Sequence, residues 1–196
     1  MNRLQDEVRL LSGSAQFRFV ETTDPEAPLY RYYGQVELSD DLVGIDTLDK
    51  EAKQIRLYEK VIVTKTEDVI FSLISGKASI VREIHNGYLL TQNYIILEPN
   101  TYIDKKFLVY LLNEDKDIKK QFQLSMQGSI VMKYSLAQLR SIVLPLMPSL
   151  ERQKVIGELY FNQLRLTALK NRVANMELKL ILENIKEANK DDGKSI

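Results

Sequence analysis

The sequence predicts an α+β fold, in which a head with an antiparallel sheet and small helices is followed by one long coiled-coil helix. Three observations support this. Alternating and β-branched runs fill residues 60–97, a helical period begins after Pro99, and apolar residues recur at spacings of four and three from Val155 to Leu180. We therefore divide the chain into a head (1–148), a helical arm (149–189) and a tail (190–196).

The composition is that of a globular protein. The 196 residues are 44% hydrophobic and 28% charged, which suits one domain with an extension. No apolar run approaches the ~18 residues of a membrane-spanning helix, and the first residues lack the apolar core of a secretion signal. Cysteine is absent, which is compatible with a reducing compartment. We expect a cytoplasmic protein.

The charge is balanced, with 27 Lys and Arg against 27 Asp and Glu. Residues 1–60 carry 8 basic and 12 acidic side chains, whereas residues 61–148 and 149–196 each have a net charge of +2. There is no overall basic signal for nucleic acid. A DNA-binding role would therefore need a more basic partner to share the phosphate contacts.

The first hundred residues predict a short helix and then strands. Leu4, Val8 and Leu11 share one helical face that ends at Gly13. Strands are predicted at 17–20, 60–64, 68–74, 78–84 and 88–97. Asn86-Gly87 is a hairpin signal and predicts an antiparallel meander, whereas the acidic segment 34–53 predicts a loop.

Helices dominate after Asn100. One is predicted to start near Asp104, and a second carries Ile118 and Phe122. The capping box that begins at Ser135 predicts a short helix to about Arg140, and residues 142–144 predict a buried strand that Pro145 closes.

The arm begins at the N-cap Ser149 and is predicted to run to about Ala188, roughly 39 residues and ~58 Å. Its 4/3 spacing is typical of a coiled coil, and a polar residue at one such position can fix the register. The alternative is a helix that lies across its own head. The predicted pairing residues are Val155, Leu159, Asn162, Leu166, Leu169, Val173, Met176 and Leu180.

No catalytic or metal-binding residue is predicted. Ser75-Gly76-Lys77 has the Gly-Lys pair of a phosphate-binding loop but lacks the upstream glycine, and Ala78 cannot bind Mg²⁺, so a turn between strands is expected. His85 is the only histidine, which excludes multi-histidine sites, and we expect it on the surface beside its turn. Glu177 and Lys179 suit an ion-pair surface of the helix.

Polar groups around two glycines are candidates for contact with DNA, because such groups on loops bind phosphates and base edges. Ordinary turn chemistry is the alternative. The candidates are Lys77 and Ser79 near Gly76, and Gln127, Ser129, Lys133 and Tyr134 near Gly128. Tyrosines at 30, 32 and 33 cluster near Arg31, which core packing or a wet aromatic surface explains as well as DNA stacking.

Several segments, in this order, resemble the specificity (S) subunit of type I restriction–modification systems. They are residues 68–72 before a glycine turn, 89–97, 107–112, Gln127-Gly128-Ser129, the Leu136/Leu139 helix, Pro145, Pro148, Gln153 and Ile156. The likeness covers nearly the whole chain, weakly before about residue 60, and residues 128–153 carry most of it.

The resemblance implies a target recognition domain followed by a conserved helix. Usual members hold two such units, whose helices pair antiparallel between two halves of a bipartite DNA site. The S subunit itself is not an enzyme and needs no cofactor. It recruits methyltransferase subunits, which use S-adenosylmethionine, and ATP-dependent restriction subunits, so S-adenosylmethionine, ATP and Mg belong to those partners.

This chain has one unit, so it resembles a half-length S subunit or a piece of a longer one. Two copies that pair through their helices would restore two heads, and such a homodimer predicts a symmetric, interrupted DNA target. A rod of ~58 Å separates the heads by at most ~17 base pairs. The alternative function is a coiled-coil adaptor or regulatory decoy that binds the modification subunits without reading DNA.

Overall fold

The computed structural model describes residues 2–47, 53–126 and 134–191. Its strands are β1 (Val8–Ser12), β2 (Leu29–Arg31), β3 (Gln54–Arg56), β4 (Val69–Ser72), β5 (Ala78–Ile80) and β6 (Tyr94–Pro99). Its helices are α1 (Leu4–Glu7), α2 (Gln35–Val43), α3 (Lys105–Glu114), α4 (Lys116–Met126), α5 (Leu136–Ser141) and α6 (Leu150–Asp191). Antiparallel sheets, small helices and a long last helix confirm the predicted α+β class.

Four antiparallel strands form the main sheet in the order β1-β6-β4-β5. The predicted meander is wrong in strand order, because β6 pairs with β4 rather than with β5. Asn86-Gly87 therefore closes no hairpin; it follows a 3₁₀ turn, Glu83–His85. Strand β4 lies between β6 and β5, and all four of its residues are buried.

Both faces of this sheet are covered, as the alternation along its strands shows. Phe71 and Leu97 point into a cluster with α3, α4 and α5, whereas Ile70 and Ile96 point to the other face, against Tyr33 and the α2 side chain Leu38. The sheet thus lies between two layers.

The segment predicted as a loop contains α2, which ends at Gly44 in the left-handed conformation (φ 68°). Two of its three buried side chains are acidic, Asp40 and Asp41, beside Leu38. Hydrophobic periodicity could not reveal this helix, because carboxylates that are satisfied in the fold occupy its inner face. Strand β2 precedes α2 in the chain and β3 follows it, and the two strands pair to form a second, two-stranded sheet.

The helices after Asn100 agree with the prediction. The Asp104 carboxylate accepts a hydrogen bond from Phe107 N (2.9 Å) and caps α3, and Ser135 caps α5. Residues 142–144 form only an isolated bridge, from Val143 to Arg3, where a strand was predicted.

Near the N-terminus two expectations are also corrected. The opening helix stops at Glu7, because Val8–Ser12 pairs with β6 as strand β1. The strand expected at 17–20 does not form: Gln16–Arg18 is a 3₁₀ turn, and residues 19–20 have no regular secondary structure.

Candidate nucleic-acid interface and helix-pairing surface

Tyr134, one of the residues predicted to contact DNA, packs against the Gly76 turn. Gly76 has φ 66°, and a Cβ placed on it would lie 2.3 Å from Tyr134 Cζ, so this turn requires glycine. Tyr134 N donates to Leu73 O (3.0 Å). The backbone of Tyr134 is therefore joined to the segment just before the Gly76 turn. Gln127, Ser129 and Lys133 lie outside the described residues.

The Tyr134 ring has a packing role. It meets the Phe71 ring edge-on at 6.2 Å and the Phe122 ring edge-on at 5.1 Å between centroids, and it is half-buried against the main core. An interface role would be limited to its outer edge, because the rest of the ring is committed to the core.

Lys77 and Ser79, which both follow this turn, differ in exposure. The Lys77 side chain is 44% exposed and its Nζ lies 3.7 Å from Glu114 Oε1, so it stays at the surface. Ser79 is fully buried, because β5 is covered by α2 and α3. Its hydroxyl has no hydrogen-bond partner among the described residues. Burial contradicts the expectation that Ser79 contacts DNA.

His85 is buried, so the expected surface histidine is wrong. Its Nδ1 lies 2.7 Å from Asp41 Oδ1, and the same carboxylate accepts hydrogen bonds from Tyr33 Oη (2.8 Å) and Arg82 Nε (3.1 Å). Burial, together with the Asp41 charge, raises the pKa of Tyr33 well above its ordinary value. This network fastens α2 to the sheet. Among the described residues, no three His, Asp or Glu side chains form a group that could hold a metal ion.

Gln153 locks the start of α6 to the head. It is 1% exposed, and its Oε1 accepts a hydrogen bond from Asp104 N (2.9 Å). Its Nε2 donates to Tyr102 O (3.1 Å) and Pro148 O (2.9 Å). One amide thus joins the N-cap of α3 to the first turn of α6, which fixes the direction in which the long helix leaves the head.

Gly157 marks the closest approach of α6 to α3. A Cβ on Gly157 would lie 2.6 Å from Lys106 Cβ and 2.8 Å from Phe107 N. Beside it Lys106 Nζ pairs with Glu158 Oε1 (2.6 Å), and Tyr160 Oη donates to Glu114 Oε1 (3.1 Å). Burial is the first cause of the raised pKa of Tyr160, and the nearby Glu114 charge adds to it. The first half of α6 is therefore packed on the head.

The predicted pairing stripe lies on the other side of α6. Its seven apolar side chains are each 44% to 64% exposed, and Asn162 is exposed among them. At 3.6 residues per turn, this stripe points roughly opposite to the face that holds Gln153, Gly157 and Tyr160. The alternative of a helix across its own head is thus also realised, but through a different face. Pairing through the stripe stays a prediction.

The described part of the chain is thus a head held on a long helix, whose far face carries an exposed apolar stripe. A comparison with known protein families shows the family of this chain. The chain belongs to the family of the type I restriction modification DNA specificity domain, whose model matches residues 18–180.

Solved structures with the same fold are specificity subunits or come from a study of the same systems. The HsdS subunit from Thermoanaerobacter tengcongensis is 16% identical, with a TM-score of 0.57 over 97% of this chain and 43% of that one. A chain from a structure of complex assembly and conformational transition in the type I R-M system is 17% identical, with a TM-score of 0.60 over 95% and 43%. The type I S subunit from M. genitalium is 19% identical, with a TM-score of 0.50 over 93% and 43%.

The chain thus spans less than half the length of these structures. No curated protein gives a significant sequence match. Within residues 2–47, 53–126 and 134–191, no helix combines the length and the apolar character needed to cross a membrane.

Proposed function

We propose that this chain is the non-catalytic DNA-recognition subunit of a type I restriction–modification complex. Two copies pair through α6 and present two heads to the halves of an interrupted, symmetric DNA site. The assembled pair positions the methyltransferase and restriction subunits, and S-adenosylmethionine, ATP and Mg act in those partners. Family membership supports the recognition role.

The single observation that carries the pairing is the apolar stripe that faces away from the head. Exposing an apolar face of this length to water is unfavourable, because burying apolar surface lowers the free energy. The 4/3 spacing suits a helical partner. The matched structures are about twice as long as this chain, so two copies supply a comparable length.

Geometry sets an upper limit on the spacing of the two half-sites. Helix α6 has 42 residues, which corresponds to about 63 Å at ~1.5 Å per residue. At ~3.4 Å per base pair this spans about 18 base pairs. Pairing through the stripe, residues 155–180, would use only part of this length.

Selection from a random duplex library tests the proposal. The chain is reconstituted with its methyltransferase subunit and selects duplexes at low salt; the methyltransferase subunit alone is the control. We expect an interrupted palindrome that the control does not enrich. Absence of enrichment, with the complex intact, would instead favour the adaptor or decoy function.

A further inference from the structure

The small sheet of β2 and β3 presents an ordered polar face. Its inner residues Tyr30 and Ile55 face each other across the strands and pack on the core. Arg31 stands opposite Gln54, and both side chains are exposed. Directly opposed residues of an antiparallel pair have Cβ atoms roughly 5 Å apart, so the two side chains project together.

This pair is held in place by the rest of the head. Tyr32 N donates to Lys53 O (2.9 Å), and Leu89 N donates to Arg31 O (2.7 Å). The Arg56 guanidinium binds Pro25 O (3.0 Å) and Ala27 O (2.7 Å). The backbone under the Arg31–Gln54 pair is therefore fixed, while the two side chains remain at the surface.

Arg31 and Lys53 are two of several cations in the described part of the head that have no ion-pair partner there. Within the described residues neither Arg31 nor Lys53 has a carboxylate within ion-pair distance, whereas Lys77, Arg82 and Lys106 each have one. Arg31 Nη1 lies 3.4 Å from Tyr88 Oη, and Lys53 Nζ lies 5.4 Å from the centroid of the Tyr32 ring. Among the described residues, the contacts of these two cations are thus with tyrosine side chains.

An open groove of about 730 Å³ runs along this pair and includes Lys53 and Tyr88. Three carboxylates also line it, and each has a partner within the protein. Asp40 accepts from Thr47 N (2.8 Å) and Thr47 Oγ1 (2.6 Å), Glu37 accepts from Gly34 N (2.8 Å), and Asp46 pairs with Arg82. The Arg82 guanidinium offsets the charge of Asp46, and the hydrogen bonds hold Asp40 and Glu37 in place.

We infer that this face reads base edges in the major groove of DNA, with Arg31 on guanine, Gln54 on adenine and Lys53 on a phosphate. The major groove admits a two-stranded β-ribbon. Arginine matches guanine O6 and N7, and glutamine matches adenine N6 and N7. The inference rests on the proposed recognition function and names the residues that carry specificity.

Single substitutions in the reconstituted complex test it. Arg31→Ala is expected to remove a guanine preference from the selected motif, and Gln54→Ala is expected to remove an adenine preference. Each is also expected to weaken binding of the wild-type motif duplex roughly 5- to 150-fold. Lys53→Ala is expected to weaken all duplexes alike and to lower the slope of log affinity against log salt by about 0.9.

Two further variants make the result unambiguous. Arg31→Lys keeps the charge but loses the forked geometry, so it is expected to keep part of the affinity and lose the guanine preference. Arg9→Ala removes another exposed arginine, on β1, where it pairs with Glu98, and is expected to leave the motif unchanged.

The outcomes separate the two proposals. If the wild-type complex enriches a motif and the Arg31 and Gln54 variants enrich the same motif with the same preferences, the ribbon inference is wrong and the recognition function stands. If the wild-type complex enriches nothing, both are overturned.

Discussion

At the residue scale, Gly157 and Gln153 determine how α6 packs against the head. Glycine inside a helix normally weakens it by about 1 kcal/mol relative to alanine. Here glycine is needed because the α3 backbone occupies the space that a Cβ would fill. Gln153 adds three hydrogen bonds at the same junction. Together they make the first turns of α6 part of the head.

Gly157→Ala is therefore expected to lower the free energy of unfolding by about 1–2 kcal/mol, since overpacking outweighs the gain in helix propensity. Urea denaturation at equal protein concentration measures it. Asn184→Ala, at an exposed position of the same helix, controls for propensity and is expected to change stability by no more than about 0.5 kcal/mol. An increase of about 1 kcal/mol in Gly157→Ala would contradict the close packing.

At the element scale, α6 has two faces with different surroundings. One face binds the head over the first half, and the opposite face carries the apolar stripe with Asn162. Beyond the head, further exposed apolar side chains, Leu178 and Leu182, continue the head-side face rather than the stripe. The two sets are similar in exposure and differ in direction, which offers a matched comparison.

Replacing both Leu166 and Leu169 with Glu is expected to dissociate the proposed homodimer, because paired stripes would then bury like charges. Sedimentation measures the change in mass. Leu178→Glu with Leu182→Glu is the control; these side chains are 55% and 48% exposed, against 45% and 44% for the stripe pair. We expect the control to stay dimeric. A dimer that survives the stripe substitutions would exclude this pairing mode.

At the scale of the whole molecule, the proposed dimer makes the length of α6 between the heads the factor that sets the spacing of the DNA half-sites. Because Gln153 and Gly157 join each head to its helix without a flexible linker, a change in helix length is transmitted to the head. The paired helices would then act as a ruler.

Duplicating residues 166–172 preserves the stripe and adds ~10.5 Å to the overlap. The selected motif is therefore expected to gain about 3 base pairs between its half-sites. Duplicating residues 183–189, beyond Leu180, lengthens only the tip and is expected to leave the spacing unchanged. An unchanged spacing in the first variant, with a motif still selected, would contradict the ruler.

The sequence predicts elements well where local signals decide them. Caps at Asp104, Ser135 and Ser149 and the 3.6-residue period locate α3, α5 and α6. Prediction from the sequence fails where contacts with residues far away in the chain determine the structure. Helix α2 was missed because its buried Asp41 is satisfied by His85, 44 residues away. Ser79 was misplaced because α2 and α3 cover β5 from both sides.

By itself the sequence determined the α+β class, the long helix and its apolar stripe, because capping and periodicity are local properties of the chain. Only the tertiary structure decided the strand order, which face of α6 binds the head, and which polar residues stay accessible. The physical reason is that burial and pairing depend on contacts between residues far apart in sequence. Thus Ser79 is enclosed, while Arg31 and Gln54, paired across two short strands, remain at the surface.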